Sequence, residues 1–339
     1  MLDSFKGFNA MSILSAPHFH DEAAAFARVE KVIWPQGPVC HHCGAMDRIT
    51  AITPNVAKRV RMGLKKCGHC KGQFTVRMGT IFEESKLPLH IWLQAMHLMS
   101  SSKKGVSAHQ LHRTLEITYK TAWFLAHRIR EAMKDGSLGA MGGSGMTLEV
   151  DETFWGQQAT VFVNGKGWQQ RRGTGDMQKI VSLVERGGRA RSIHVETLQK
   201  DEIVRAMATA DRASVLNTDQ AQHYRRIGKE FADHQAVDHG REEYARYDGD
   251  TLTTTNTVEG FFSIFKRGMK GVYQHCSAKH LHRYVAEFDF RYSNRIGRGV
   301  DDEARTVLTL KGGRGKRLTY RPTGGGRARA QDGAQASLA

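Results

Sequence analysis

No stretch of the 339 residues is apolar for long enough to span a bilayer, and no basic amphipathic helix stands apart from the rest of the pattern. Met1 to Ala16 lacks the continuous apolar core of a secretion signal, so the expectation is a soluble, cytoplasmic protein with no membrane partner. Cysteine is scarce, five in all, which argues against a disulfide framework and for a reducing compartment. No internal repeat is present, which excludes solenoids and propellers. Acids are outnumbered: 34 Asp and Glu face 50 Lys and Arg, for a formal net charge of +16. An excess of that size calls for a polyanionic partner, and nucleic acid is the leading candidate. A hydrophobic fraction of 40% is ordinary for a folded chain, and the length suits one sizeable core with small accessory units.

Four of the cysteines form two matched pairs, Cys40-His-His-Cys43 and Cys67-Gly-His-Cys70. A two-residue gap lets both thiolates of a turn face one ion, and two such knuckles complete a tetrahedral site. Soft thiolates in that geometry favour one structural Zn2+. Basic residues surround the pairs, among them Arg48, Lys58, Arg59, Arg61, Lys65 and Lys66. The expected organisation is a helical lead-in over 1–35, a zinc ribbon over 36–82 and a helical segment over 83–136. A Gly-rich linker over 137–145, a catalytic domain over 146–300 and a basic, disordered tail over 301–339 follow. In the helical segment, VSAHQLHRTL and TYKTAWFLAHRIREAM have the lengths and separation of a helix-turn-helix. Lys120, His127, Arg128 and Arg130 on the second helix are candidates for DNA contact; the competing reading is a plain helical connector.

After the linker the pattern turns to strands. MTLEVDETF alternates as a half-buried strand does, QKIVSLVERGGRARSIHVET reads as two strands joined at Gly187-Gly188, and SVLNTD is a further strand. Chemistry at phosphorus needs carboxylates that converge on divalent metal, which prefers oxygen ligands. Asp151 and Asp219 each lie at a strand end, and Glu259 opens an amphipathic helix. Lys266 is seven residues later on the same helical face, placed to hold a phosphate, and Asn256 precedes Glu259 by three. Glu149 shares the face of Asp151 and competes with it, whereas Glu152 points to the opposite face by alternation and is set aside. Asp233 and Asp238 also lie near a strand and read equally as surface ion-pair groups.

The strings VDETFWG, LNTDQAQHY, VDHG and TNTVEGFFSIFKRGMKGVYQHCSAKHLHRYVAEFDFRYSNR resemble the ISXO-like transposases of bacterial insertion sequences, the insertion sequence 1595 family. The resemblance extends over roughly residues 20 to 300. It implies an α/β fold in which a ribonuclease-H-like mixed five-stranded sheet flanked by helices follows a zinc ribbon and a helix-turn-helix-like segment. It implies a DDE enzyme that cuts and joins DNA with two Mg2+ or Mn2+ at Asp151, Asp219 and a third position. That third position is Glu259 or Asn256, and His239 in VDHG matches the family pattern as a supporting residue. The implied partners are double-stranded DNA, both terminal inverted repeats and target. A homo-oligomer, at least a dimer on paired element ends, follows, with the protein nucleoid-associated when bound. Two other classes share parts of the pattern: a DNA-binding regulator or domesticated relative that does not cut, and a stand-alone ribonuclease-H-like nuclease or resolvase.

Overall fold

A computed structural model describes residues 12–136, 139–171, 173–241, 243–249 and 251–319. Helix α1 (Glu22–Ile33) starts where Asp21 accepts a hydrogen bond from the Ala24 amide at 2.7 Å, a side-chain N-cap. It buries Ala25, Phe26, Val29 and Ile33 at helical spacing. Three short strands follow, β1 (Ile49–Ala51), β2 (Lys65–Cys67) and β3 (Gln73–Phe74), in one antiparallel sheet of that order. Helices α2 (Leu89–Ser101), α3 (Ala108–Thr114) and α4 (Tyr119–Met133) come next, the last two capped by Ser107 and Thr118. Phe26, Cys67, Phe74, Trp92 and Leu125 belong to one continuous core, so the strands and helices of this half pack as a unit.

The second half is built on a sheet. Its elements are β4 (Thr147–Trp155), a hairpin of β5 (Thr160–Val163) and β6 (Gly167–Gln170), then β7 (Gln178–Glu185) and β8 (Ala190–Val195). Next come α5 (Lys200–Ala206), β9 (Val215–Asp219), α6 (Gln222–Ile227) and β10 (Asp233–Val237). A hairpin of β11 (Ala245–Asp248) and β12 (Thr251–Thr254) leads into α7 (Asn256–Gly268) and α8 (Ala278–Ser293). The five-stranded sheet has the order β10-β9-β4-β7-β8. β4 pairs antiparallel with β7 and β7 with β8, while β9 runs parallel to both β4 and β10. This is a ribonuclease-H-like mixed sheet with helices on both faces. Leu148, Val150, Val181 and Leu183 pack with Ile203 of α5 and Tyr224 of α6. Ile180 and Val184 pack on the other face with Phe261, Phe265 and Phe288 of α7 and α8. Burial from both sides explains why IVSLVE is almost continuously apolar. β4 pairs with β9 only over Thr147 to Glu149, so its second half has no neighbour on the β9 side.

Two sequence expectations are corrected. The tail was expected to be disordered from 301, but Asp302–Gly312 is a helix, α9, with Asp301 as its N-cap. It lies against α2: Ser100 and Thr309 hydroxyls meet at 3.0 Å, Arg305 donates to the Ser100 carbonyl at 2.9 Å, and Leu310 enters the first core. The Gly- and Arg-rich composition downstream masks a capped helix within it; residues 320–339 lie outside the described residues. Three of the four candidates on α4 are also buried, leaving only Lys120 exposed. His127, Arg128 and Arg130 are 1%, 5% and 2% exposed, because α4 is enclosed by α2 and α9 on one side and α8 on the other. Arg130 donates to Glu287 at 2.7 Å, and Arg291 and the Tyr273 hydroxyl bind the same carboxylate. Burial, helped by nearby Arg130, pushes the His127 imidazole down to about 2, so it is neutral packing against Trp123 and His280. Exposed polar groups of this region include Lys103 and Lys104 before α3, His109, Gln110 and Arg113 on α3, Glu116 after it and Lys120 at the start of α4. Among the described residues no helix is long and apolar enough to cross a membrane.

A chain ending at Val300 therefore loses part of its first core. Its urea denaturation is expected to show a loss of roughly 3 kcal/mol or more in the N-terminal half. An unchanged transition would mean that α9 is not part of that core.

Candidate active site and cysteine centre

The two knuckles meet at the end of the small sheet. The Cys40 and Cys70 sulfurs are 3.6 Å apart and those of Cys43 and Cys67 3.7 Å, and all four lie within 4.8 Å of one another. A tetrahedral ion bound at about 2.3 Å requires sulfur–sulfur separations of roughly 3.8 Å, so the donor set fits zinc. Each turn is closed by backbone: Gly44 N–H donates to the Cys40 carbonyl at 2.9 Å and Cys67 N–H to the Gly72 carbonyl at 3.0 Å. Gly44 takes a φ of +76°, which a side chain would strain. Two of the three histidines between the cysteines are occupied elsewhere, His42 with the Gln73 carbonyl at 3.1 Å and His69 with Asp47 at 2.9 Å.

In the larger sheet, Asp151 and Asp219 come together, although only Asp219 ends its strand; Asp151 lies in the middle of β4, which runs on to Trp155. The third member of the tightest cluster is Glu152: carboxylate oxygens of Asp151, Glu152 and Asp219 lie within 4.8 Å of one another. Alternation had set Glu152 aside, and its place in this cluster has a definite cause. Alternation does send it to the α6 face and Asp151 to the α7 face. But β9 stops pairing with β4 at Glu149, so both side chains stand beside an open edge, with Asp219 at the tip of β9. Glu152 is held there by the Tyr224 hydroxyl at 2.8 Å and by His223. Asp219 accepts from the Ala221 amide at 3.0 Å. Neither His223 nor Tyr224 was singled out in the sequence, although both sit in the string LNTDQAQHY.

Glu259 faces the same place from α7. A cleft of about 740 Å3 is lined by Asp151, Glu152 and Glu259, with Lys266, Arg267 and Lys270 along the same helix and the turn after it. The Thr255 hydroxyl donates to Glu259 at 2.8 Å. Asn256 is exposed on the first turn of α7 and is not among the residues lining the cleft. His239 begins a short turn after β10, and its side chain lies outside the described residues. Asp233 accepts from Gln235 at 2.9 Å, and Asp238 pairs with Arg241 at 3.2 Å. Glu149, the rival of Asp151, is fully buried and does something else. It accepts from the Thr257 and Val258 amides at 2.7 and 3.1 Å, from the Thr257 hydroxyl at 2.7 Å and from Arg186 at 2.9 Å. It is thus the N-terminal cap of α7, supplied from β4.

Comparison with known proteins agrees with this arrangement. Residues 143–293 match the model of the ISXO2-like transposase domain, and residues 20–73 match that of the transposase zinc-ribbon domain. The two matched regions are consistent with an ISXO2-like transposase. An uncharacterized protein in transposable element ISH50 of Halobacterium salinarum is 25% identical over 284 residues, covering 80% of this chain and 91% of that protein. A chain from the crystal structure of the Mos1 Strand Transfer Complex aligns with 67% of this chain and 79% of its own length, at 10% identity and a TM-score of 0.24, too loose to inform the fold.

The acid cluster has a measurable electrostatic cost. Burial raises the Asp151 carboxyl to about 7; the charges of Glu152, Asp219 and Glu259 add to the shift, and the Glu152 amide opposes it. Carboxylates crowded in this way fit a divalent cation, which relieves both effects. Because the folded value lies above the unfolded 3.8, the folded state is penalised progressively as pH rises from about 4 to 7, and fully above 7. In magnesium-free buffer with zinc retained, Asp151→Asn should stabilise the protein at pH 8 by on the order of 2 kcal/mol, a gain that vanishes at pH 4. Equal stability of the two proteins at pH 8 by urea denaturation would contradict a raised carboxyl. Glu149→Leu leaves the first amides of α7 without their acceptor and Arg186 without its counter-charge, and should cost about 3–5 kcal/mol in the same measurement, with Glu149→Gln milder. Wild-type stability in Glu149→Leu would remove the cap from the account.

Proposed function

We propose that the chain binds the terminal inverted repeats of an insertion sequence, cuts DNA there and joins the freed ends to target DNA. The observation that supports this reading best is the meeting of Asp151 and Asp219 at the open end of a mixed sheet, with Glu259, Lys266, Arg267 and Lys270 facing the same cleft. Asp151, Asp219 and Glu259 are the groups to hold divalent metal, two Mg2+ or Mn2+; Glu259 is preferred to Asn256 because it faces the cleft. Divalent cations held there would supply activation of the attacking oxygen and neutralisation of charge on the phosphodiester. The protein's own part is positioning. Glu149 fixes the start of α7 against β4, so Glu259 is presented to the two aspartates from a rigid helix. Thr255 orients the Glu259 carboxylate, and Tyr224 with His223 orients Glu152. Lys266, Arg267 and Lys270 are exposed cations beside the acids and receive phosphate charge. The net charge of +16 favours the DNA backbone generally, and Lys103, Lys104, Gln110, Arg113 and Lys120 form the exposed face with which the helical segment grips it. Zinc in the cysteine centre holds the ribbon together. Joining two ends requires that both be held at once, so the working form is an oligomer, at least a dimer, acting on the nucleoid in the cytoplasm.

The test is strand transfer by purified protein, using a duplex that carries the end of the encoding element and a target plasmid. Joining should require magnesium. It should fall by roughly 1000-fold or more in Asp219→Asn and Asp151→Asn, about 4 kcal/mol of transition-state stabilisation, with binding to the terminal duplex retained. Binding with no product in the wild type would favour a DNA-binding regulator. Cleavage with no joining would favour a nuclease.

A further inference from the structure

The hairpin of β5 and β6 stands outside the sheet. The chain leaves β4 at Trp155 and re-enters as β7 at Gln178, the residue paired with Trp155. Between them β5 and β6 pair only with each other. A lone two-stranded ribbon is marginal in water. This one also carries its largest apolar side chains outward: Phe162 and Trp168 are directly opposed, 5.6 Å apart, and 61% and 72% exposed. The rings meet edge to face at 71°, which leaves flat ring surface open. Exposed aromatic surface of this kind marks a contact for a partner.

The partner's chemistry is written in the surrounding residues. Residues 157–173 contain no acid, carry Lys166, Arg171 and Arg172, and are otherwise rich in Gln. Lys166 is exposed in the turn beside the aromatic pair. Strands of four residues present far less than the roughly 800 Å2 that each side of a stable protein interface buries, which disfavours a second copy of the chain. Aromatic rings flanked by cations suit nucleotide bases that have left the duplex. The location agrees: Asp151 lies four residues before Trp155 on β4, about 13 Å along the strand, so the hairpin springs from the rim of the acidic cleft.

We infer that this hairpin receives an unpaired base at the DNA end, stacked on Phe162 and Trp168 with its phosphate near Lys166. The inference rests on the DNA-joining reading for its substrate, but it concerns binding and is tested without chemistry. The full-length, zinc-loaded protein is titrated, in magnesium-free buffer, with a blunt terminal duplex and with the same duplex ending in three unpaired nucleotides, one of them 2-aminopurine. The wild type should prefer the unpaired end and change the 2-aminopurine fluorescence. Phe162→Ala/Trp168→Ala should weaken binding to the unpaired end by roughly tenfold and leave blunt-duplex affinity unchanged. Neither residue belongs to the three cores, so the variant should fold; Phe162→Tyr/Trp168→Phe, which keeps the rings, should retain the preference. Equal affinities and fluorescence in wild type and double-alanine variant would overturn the inference. So would a variant altered only in its sedimentation as an oligomer, since that makes the hairpin a contact between copies. Wild-type joining is measured in parallel. Loss of the end preference in the variant, with no joining by the wild type, would uphold the hairpin and count against the enzyme reading alone.

Discussion

The geometry of the cleft depends on one buried carboxylate. Glu149 has no exposed surface, yet it accepts hydrogen bonds from the first amides of α7, the Thr257 hydroxyl and Arg186. A charge taken out of water is tolerated only when such partners surround it, and a helix N-terminus with its partial positive charge is among the best. Arg186 extends the same contact to the carbonyls of Leu252 and Thr254, which fixes the strand leading into α7. Capping from a distance has a local consequence. Thr255 precedes the helix where a capping residue normally sits but makes no cap hydrogen bond; its hydroxyl donates to Glu259 instead. The cap and the orientation of the third acid are thereby divided between two residues that one side chain could not serve together.

The first half of the chain uses the same device. Pro88 precedes α2 and has no side chain to cap it. Glu22 of α1 accepts from the Leu89 and His90 amides at 2.9 and 3.2 Å, and from Arg77 at 3.0 Å. Arg77 in turn donates to the Ser85 and Leu87 carbonyls, so the end of the ribbon, α1 and α2 are locked by one ionic centre. A third centre, Glu287 with Arg130, Arg291 and Tyr273, joins α4 to α8 and to the turn that follows α7. Each sets a distance between elements far apart in sequence, something a non-directional apolar contact does only loosely.

What could be read from the sequence followed from how local its causes are. The cysteine pairs were legible because the two-residue gap acts within one turn. Asp151 and Asp219 were legible because apolar runs end on them. Glu259 and Lys266 were related by helical period alone. Glu152 was lost because alternation assigns a face but does not say where a neighbouring strand stops pairing. Glu149 was noticed for the right face and the wrong reason, since a buried cap and a metal ligand ask for the same residue type there. For Arg128 and Arg130 of α4 the sequence left two readings open, because a helix pattern does not reveal that other helices will cover its polar side; Arg130 pairs with Glu287 of α8. In α9 the capping Asp301 was present, but the glycines and arginines downstream outweighed it.

The charge balance of the cleft constrains how it can work. Across the chain bases exceed acids by 16, yet three carboxylates are gathered within 4.8 Å, and burial with mutual repulsion holds Asp151 near 7. On the proposed function, a phosphodiester drawn in by Lys266, Arg267 and Lys270 meets that negative cluster. At separations of a few ångströms and low effective dielectric, like charges repel by several kcal/mol, more than exposed lysines on one rim offset. On that reading the cations of α7 and the turn after it guide the approach of DNA, and a bound cation offsets the charge of the acids. On the same reading, the burial and repulsion that raise the Asp151 carboxyl favour cation binding there. The rigid cap at Glu149 keeps that repulsion from relaxing by a shift of α7 away from β4.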